Sequence, residues 1–201
     1  MAEEITESKL LLVEGRSDEI LFDVLLNHMG IEGVQVKSTK GKNNFRSKLQ
    51  AIIDSPGFHD TVTSLGFVRD ADDNSNNAFV SICDSLAFLG LPVPSMPLEI
   101  SVPNPKVAVL IVPHGEPSGA IEDVCLASVD DDAVMICVND YLDCVHAKVA
   151  TPPNNLSKAK VQAFLASRPR PDMQLGRAAS AGYWGWEHPA FEPLKQLLRM
   201  L

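Results

Sequence analysis

The sequence has no apolar run close to the roughly 20 residues that a membrane-spanning helix needs. It also has few basic residues: its 201 residues include 17 Lys and Arg against 26 Asp and Glu, so the net charge is −9. Such an acidic chain is poorly suited to indiscriminate binding of a phosphate backbone, which depends on basic residues displacing counterions. The first residues are acidic where a secretory signal is basic. We therefore expect a cytoplasmic protein without membrane contact.

Motifs for a structural zinc site and for a nucleotide-binding P-loop are also missing. The four cysteines, at positions 83, 125, 137 and 144, show no Cys-x-x-Cys spacing, which argues against a zinc module. We predict that these cysteines are reduced and lie in the core. Because the Gly-x-x-x-x-Gly-Lys pattern is absent, any ATPase activity would have to come from another chain.

The hydrophobic pattern is that of an α/β fold. Short apolar runs predict strands at about 9–13, 34–36, 64–69 and 107–112, with helical spacing between them. This alternation predicts a Rossmann-like, mostly parallel sheet with flanking helices, to which residues 98–102 could add an antiparallel edge strand. Beyond residue 130 the pattern is purely helical. We expect an α/β domain at residues 1–128 and a helical C-terminal extension at 129–201 packed on it.

Carboxylates follow two of the predicted strands. Glu14 comes directly after the first strand and Asp70 ends the third, with Asp18 and Asp72 a few residues further on. The carboxyl ends of parallel strands meet at one edge of a sheet, where α/β proteins hold their ligands. Carboxylates that converge there repel one another unless a cation or a proton lies between them. The sequence therefore predicts a site for a divalent cation.

Each of these acidic residues also has a structural alternative. In extended backbone Asp70 and Asp72 project to the same face, as a shared cation requires, but an Asp-rich turn explains them too. Glu14 could instead stabilise the following helix by lying near the positive end of its dipole. Asp18 could do the same from the first turn of that helix, if Ser17 caps it.

These acidic motifs resemble those of a known domain. The Glu14-Gly15 turn and the Asp70-Ala71-Asp72 sequence resemble the Toprim domain, the metal-binding module of topoisomerases, primases and OLD-family nucleases, over about residues 8–126. The whole chain, including the aromatic segment 182–189, is similar to a family of short stand-alone Toprim-like proteins in prokaryotes.

The resemblance to OLD-family nucleases implies a cofactor and a set of ligands. The cofactor would be Mg²⁺ or Mn²⁺. Glu14 and Asp18 would hold one ion, Asp70 would lie between two ions, and Asp72 and Glu122 would hold the second. In topoisomerase-like members the residue matching Glu14 is a general acid or base instead.

Two of these assignments have competitors nearby in the sequence. Glu122 competes with Glu116 and Asp123 for the last metal position. A cation that contacts the transition-state phosphate would complete an OLD-like site, and we predict Lys160 for this catalytic role, with Lys158 as the other candidate. A solvated helix face explains both lysines equally well.

One segment is locally basic. Lys37, Lys40, Lys42 and Arg46 lie within ten positions, followed by Lys48, and we predict that the first four contact DNA or RNA. The alternative is a solvated lysine-rich loop.

Two classes of function follow. The first is a metal-dependent phosphodiesterase, most simply a nuclease that acts through Mg²⁺-activated water. The second is a non-catalytic Toprim-like module that binds nucleic acid or a partner protein, for example an ATPase in trans. Both classes of function are compatible with a monomer and with an oligomer. The two tyrosines, Tyr141 and Tyr183, both lie in the C-terminal part, and with no zinc module the sequence argues against a topoisomerase or a primase.

Overall fold

The computed structural model of the protein describes residues 4–41 and 45–201. Within these residues one sheet is formed by β1 (Lys9–Val13), β2 (Val34–Ser38), β3 (Ser64–Asp70) and β4 (Lys106–Val112). The helices are α1 (Arg16–Met29), α2 (Phe45–Ile53), α3 (Phe58–Thr61), α4 (Ser75–Phe88), α5 (Ile121–Ala127), α6 (Val134–Lys148), α7 (Leu156–Ala166), α8 (Leu175–Ser180) and α9 (Glu192–Met200), with a 3-10 turn at Pro189–Phe191 before α9.

All the strand pairs are parallel, and the strands lie in the order β2-β1-β3-β4. The prediction of a parallel α/β sheet with flanking helices is confirmed. After β1 the chain moves to one side to form β2, and it then returns to the other side of β1 to form β3 and β4. Such a reversal opens a crevice at the carboxyl ends of the two central strands, here β1 and β3.

Strand alternation divides the core into two layers. Leu11 and Val13 of β1 face a layer formed by α1 and the helices from α5 to α9, while Leu10 and Leu12 face a layer that contains α2 and α4. Both layers consist of buried aliphatic and aromatic side chains, because a parallel sheet covered on both faces exposes neither face to water. The sheet edge that carries the strand ends is therefore held between two packed layers.

The helical extension shares the core of the α1 layer. Trp184 stacks on Phe164 with ring centroids 5.6 Å apart, and its Nε1–H donates to the Leu175 carbonyl at 3.0 Å. At the end of the chain, Leu201 covers Gly66 in the middle of β3, where an added Cβ would lie 3.0 Å from the Leu201 Cδ2. The boundary at residue 128 stays a prediction, since extension and sheet contribute to one continuous cluster.

Two details differ from the sequence-based expectations. The stretch 98–102 forms a single antiparallel bridge, between Ser101 and Val107, rather than an edge strand. All four cysteines are free, but Cys137 and Cys144 are exposed, so the core assignment is wrong for these two. Among the described residues, no helix is both long and apolar enough to cross a membrane.

Candidate metal centre

The acidic residues lie in the crevice between β1 and β3. Glu14 is the residue after β1, and Asp70 is the last residue of β3. Asp18 is in the first turn of α1, and Glu122 is in the first turn of α5. The sheet topology thus brings four carboxylates from separate parts of the chain to one site, and each of them was predicted from the sequence.

Asp70 is the most strongly perturbed of these groups. Its Oδ1 accepts a hydrogen bond from the backbone N–H of Ile121 at 2.9 Å, at the start of α5. Burial raises the pKa of Asp70 to about 8, and the charges of Glu14, Asp18 and Glu122 add to the effect against the lowering by the Ile121 hydrogen bond. A carboxyl group with this pKa is largely protonated at neutral pH.

Asp18 belongs to the same electrostatic cluster. Burial raises its pKa to about 6; the hydrogen bond from the Gly15 N–H to its Oδ2, 2.8 Å long, opposes this, while Glu122 and Glu14 reinforce it. The helix α1 begins at Arg16, after Gly15, so the expected Ser17 cap is wrong. Because Asp18 bonds to the Gly15 N–H, it closes the first turn of α1 as well as facing the other acids.

Glu14 lies against a cation from the neighbouring strand. The Nε of Arg69 is 3.6 Å from the Glu14 Oε1, and the Arg69 Nη1 donates to the Ser81 hydroxyl at 3.1 Å. Both side chains of the pair are largely buried, with 13% of Arg69 and 21% of Glu14 exposed. The charge of Arg69 therefore offsets part of the acidic cluster.

Glu122, in the first turn of α5, also belongs to the cluster. Its Oε1 is 3.8 Å from the Lys158 Nζ, and its Oε2 is buried with no hydrogen-bond partner in the described part of the chain. The competing Asp123 is occupied elsewhere: it accepts from the Ala120 N–H at 2.8 Å and from the Ser157 hydroxyl. Between Glu122 and Asp123, only Glu122 is thus available to the cluster.

Asp72 differs from the buried acids in its exposure and in its backbone. It is exposed, and its backbone has a left-handed conformation with φ of 49°. Its N–H and carbonyl form two hydrogen bonds of 2.8 Å with Gly119. The extended backbone on which its shared face with Asp70 was argued is therefore absent, and a metal-binding role for Asp72 stays a prediction without that argument.

The lysine beside the carboxylates is Lys158. It lies in the first turn of α7, with 63% of its side chain exposed, and its charge lowers the pKa of Asp18. In the described part of the chain Lys160 forms no ion pair. A catalytic role for Lys160 stays a prediction, and geometry favours Lys158.

The described side chains do not form a ready-made ligand set. Among residues 4–41 and 45–201, no three His, Cys, Asp or Glu side chains are grouped so that they could hold a metal ion as they stand. Glu14 and Glu122 each direct one carboxylate oxygen toward a cation. Coordination of an ion would therefore require these side chains to rotate.

The predicted nucleic-acid residues do not form one exposed surface. Lys37 is only 4% exposed, and its Nζ donates to the Glu4 carbonyl at 3.3 Å. Arg46 lies over the Phe88 ring, 4.8 Å from the centroid, and Lys42 falls outside the described residues. Lys37 is thus unavailable at the surface, while contacts by the exposed Lys40, by Lys42 and by Arg46 stay predictions.

Sequence reasoning missed how α8 docks beside the acidic cluster. The Gly176 N–H donates to the Ser17 hydroxyl at 2.9 Å, and a Cβ at Gly176 would lie 2.1 Å from the Ser17 carbonyl oxygen. A signal was present, since a glycine within a helical segment often marks a close backbone approach.

Comparisons with known proteins identify a family. A family model described as "Protein of unknown function (DUF3226)" matches residues 8–201. Among solved structures, the C-terminal region of the Burkholderia pseudomallei OLD protein is 11% identical with a TM-score of 0.48, covering 98% of this chain and 97% of that one. The C-terminal region of the Xanthomonas campestris pv. campestris OLD protein is 11% identical with a TM-score of 0.47, covering 96% and 95%. No curated protein matches the chain. Because the family model spans nearly all of the sequence, the chain belongs to the DUF3226 family.

Proposed function

We propose that this protein is a divalent-metal-dependent phosphodiesterase that cleaves nucleic acid, with Mg²⁺ or Mn²⁺ as its cofactor. The observation that carries the proposal is the convergence of Glu14, Asp18, Asp70 and Glu122 at the crevice between the two central strands. Burial and the neighbouring negative charges raise the pKa of Asp18 and of Asp70, and perturbed carboxyl groups in a ligand crevice are typical of a functional site. The Toprim-like Glu14-Gly15 and Asp70-Ala71-Asp72 motifs support the same chemistry.

The donor chemistry of the cluster suits these ions. Mg²⁺ and Mn²⁺ prefer oxygen ligands, and one or two carboxylates per ion are sufficient when waters complete the shell. The Glu122 Oε2 is a buried oxygen without a hydrogen-bond partner among the described residues, which is a suitable donor. When bound, such an ion supplies water of lowered pKa and offsets the charge that develops on the phosphate.

The protein's own groups have distinct roles in this proposal. Asp70 holds a proton at neutral pH and would release it when positive charge enters the cluster. Glu14, next to the strand end, would accept a proton from the attacking water. Lys158 is exposed beside Glu122, so it can reach a substrate phosphate and donate hydrogen bonds to it as negative charge accumulates.

Two ion pairs would have to exchange partners for this chemistry. Glu14 would turn from Arg69 to reach the attacking water, and Glu122 would turn from Lys158 to face the ion. Neither contact is short, at 3.6 Å and 3.8 Å, so neither is a strong charge-assisted hydrogen bond that would resist the exchange.

A cleavage assay tests the proposal. Purified protein is incubated with supercoiled plasmid and, separately, with hairpin RNA, in Mg²⁺, in Mn²⁺ and in EDTA. We expect metal-dependent cleavage of at least one substrate that Asp70→Asn reduces at least a hundredfold, while the exposed Asp73→Asn retains it. Full metal-dependent cleavage by Asp70→Asn would refute the assignment.

One observation favours a second function, that of a non-catalytic module which binds nucleic acid or a partner protein. As they stand, no three of the described acidic, histidine or cysteine side chains could hold an ion. If the contacts of Arg69 with Glu14 and of Lys158 with Glu122 are permanent, the charges of these two acids are offset within the protein, and no metal is needed to offset them. Binding of nucleic acid without cleavage in either metal would support this reading.

A further inference from the structure

The structure points to a nucleic-acid surface other than the basic loop. We propose that Arg170 and Arg177, which line one cleft of the helical extension, bind the phosphates of a single nucleic-acid strand and lead it to the acidic crevice. The inference rests on the proposed function, because it names the surface that would deliver the substrate to that site.

The cleft contains the two arginines of the extension that form no ion pair with the described residues. Arg168 donates to Asp132 at 2.6 Å and Arg199 to Glu192 at 2.5 Å. Within the described part of the chain, Arg170 and Arg177 form no ion pair, and both are exposed. The cleft has a volume of about 310 Å³ and is lined by Arg170, Asp172, Met173, Arg177, Ser180 and Ala181.

Size and chemistry of this cleft suit a phosphodiester group. Two guanidinium groups present several N–H donors in fixed planar geometry, which matches phosphate oxygens, and they outnumber the single carboxylate of Asp172. A volume of about 310 Å³ is near the lower limit of ligand pockets, roughly 300 Å³. One strand fits such a space, whereas a duplex could contact the cleft only from outside.

Its position connects the cleft to the acidic crevice. Arg177 follows Gly176, whose N–H donates to the Ser17 hydroxyl at 2.9 Å, and Ser17 precedes Asp18 of the cluster. The backbone of α8 thus lies against the first turn of α1, the turn that also carries Asp18. Lys158, 3.8 Å from Glu122, adds a further cation from the same extension.

Electrostatics explain why such anchors are needed. The chain has a net charge of −9, and the crevice itself is acidic, so a phosphate backbone is repelled until cations beside the site hold it. The basic loop is a weaker source of such cations, because Lys37 is buried and Arg46 lies on an aromatic ring.

Fluorescence anisotropy tests the inference, with a fluorescein-labelled 20-nucleotide single-stranded DNA as the probe, in EDTA, over a range of salt concentrations. Wild type is compared with Arg170→Gln/Arg177→Gln, and the matched control is Lys106→Gln/Lys148→Gln, which removes two charges from exposed lysines that belong to neither surface. We expect Kd to rise about tenfold for the first variant and less than twofold for the control. The slope of log K against log salt should also fall by about 1.4, since each phosphate contact contributes about 0.7 for single strands.

The possible outcomes separate the surface from the chemistry. Equal losses in both double variants, a larger loss in the control, or no binding of the probe by wild type would overturn the inference. Circular dichroism and the thermal midpoint establish that each variant is folded. Because binding is measured in EDTA, the failure of the proposed metal chemistry shows separately, as an absence of Mn²⁺ binding to the wild-type protein.

Discussion

Replacing Asp70 by Asn should stabilise the protein at alkaline pH. The Asn side chain has nearly the same shape, and its Oδ1 can still accept the 2.9 Å hydrogen bond from the Ile121 N–H. What the substitution removes is the ionisation of a group held beside Glu14, Asp18 and Glu122. The folded state then no longer carries the cost of that buried negative charge.

The sign and size follow from the pKa of Asp70 in the two states. Below pH 4 the carboxyl is protonated in both the folded and the unfolded protein. Between the ordinary value of 3.8 and the folded value of about 8, only the folded state keeps the proton, so stability falls as pH rises and levels off above pH 8. The full difference corresponds to on the order of 5 kcal/mol.

Urea unfolding of wild type and Asp70→Asn in EDTA at several pH values measures this effect. We expect the variant to exceed wild type by about 3 to 5 kcal/mol in the free energy of unfolding at pH 9, and by less than about 1 kcal/mol at pH 4. The exposed Asp73→Asn is the control and should follow wild type at both values. A difference between wild type and Asp70→Asn that does not change with pH would refute the electrostatic account of the crevice.

Further predictions concern packing and the cation beside the cluster. Gly176→Ala places a methyl group 2.1 Å from the Ser17 carbonyl oxygen, so thermal or urea unfolding should show a loss of about 2 to 4 kcal/mol; a loss below 1 kcal/mol would contradict this close approach. Gly66→Ala should cost about 1 to 3 kcal/mol through contacts with Leu11 and Leu201, and a double-mutant cycle with Leu201→Ala should show a coupling that relieves the part of this cost due to Leu201. Lys158→Gln should lower the rate of cleavage at least tenfold while Mn²⁺ binding, measured by calorimetry, is retained or tightened; unchanged cleavage would exclude a catalytic role for this lysine.

Much of the fold follows from local pattern. The run Leu10-Leu11-Leu12-Val13 is apolar on both faces, as a strand between two helical layers must be, and it forms β1 as predicted. The stretch 98–102 shows the limit of such reasoning. Its composition is compatible with a strand, but it forms one bridge, between Ser101 and Val107, and one further backbone hydrogen bond to β4, from the Leu98 N–H to the Val109 carbonyl. The extent of pairing is decided by neighbouring prolines and by the path of the loop rather than by propensity.

The acidic site was predictable in part for a topological reason. Strand ends of a parallel sheet share an edge, so Glu14 and Asp70 could be placed together from the sequence. The prediction for Asp72 assumed that the backbone stays extended after β3, which would place Asp70 and Asp72 on the same face. The left-handed φ of 49° at Asp72 shows that the backbone is not extended there. The choice of Lys158 over Lys160 depends on which face of α7 meets Glu122, a tertiary contact that no local pattern encodes.

Calorimetric titration of the purified protein with Mn²⁺ at pH 7.5 tests the central claim most directly, with wild type, Asp70→Asn and Asp73→Asn compared under the same conditions. We predict saturable binding to wild type and to Asp73→Asn, with at least a tenfold weaker affinity for Asp70→Asn. Absence of binding to wild type, or equal affinity in all three proteins, would contradict the assignment of a metal centre to this crevice.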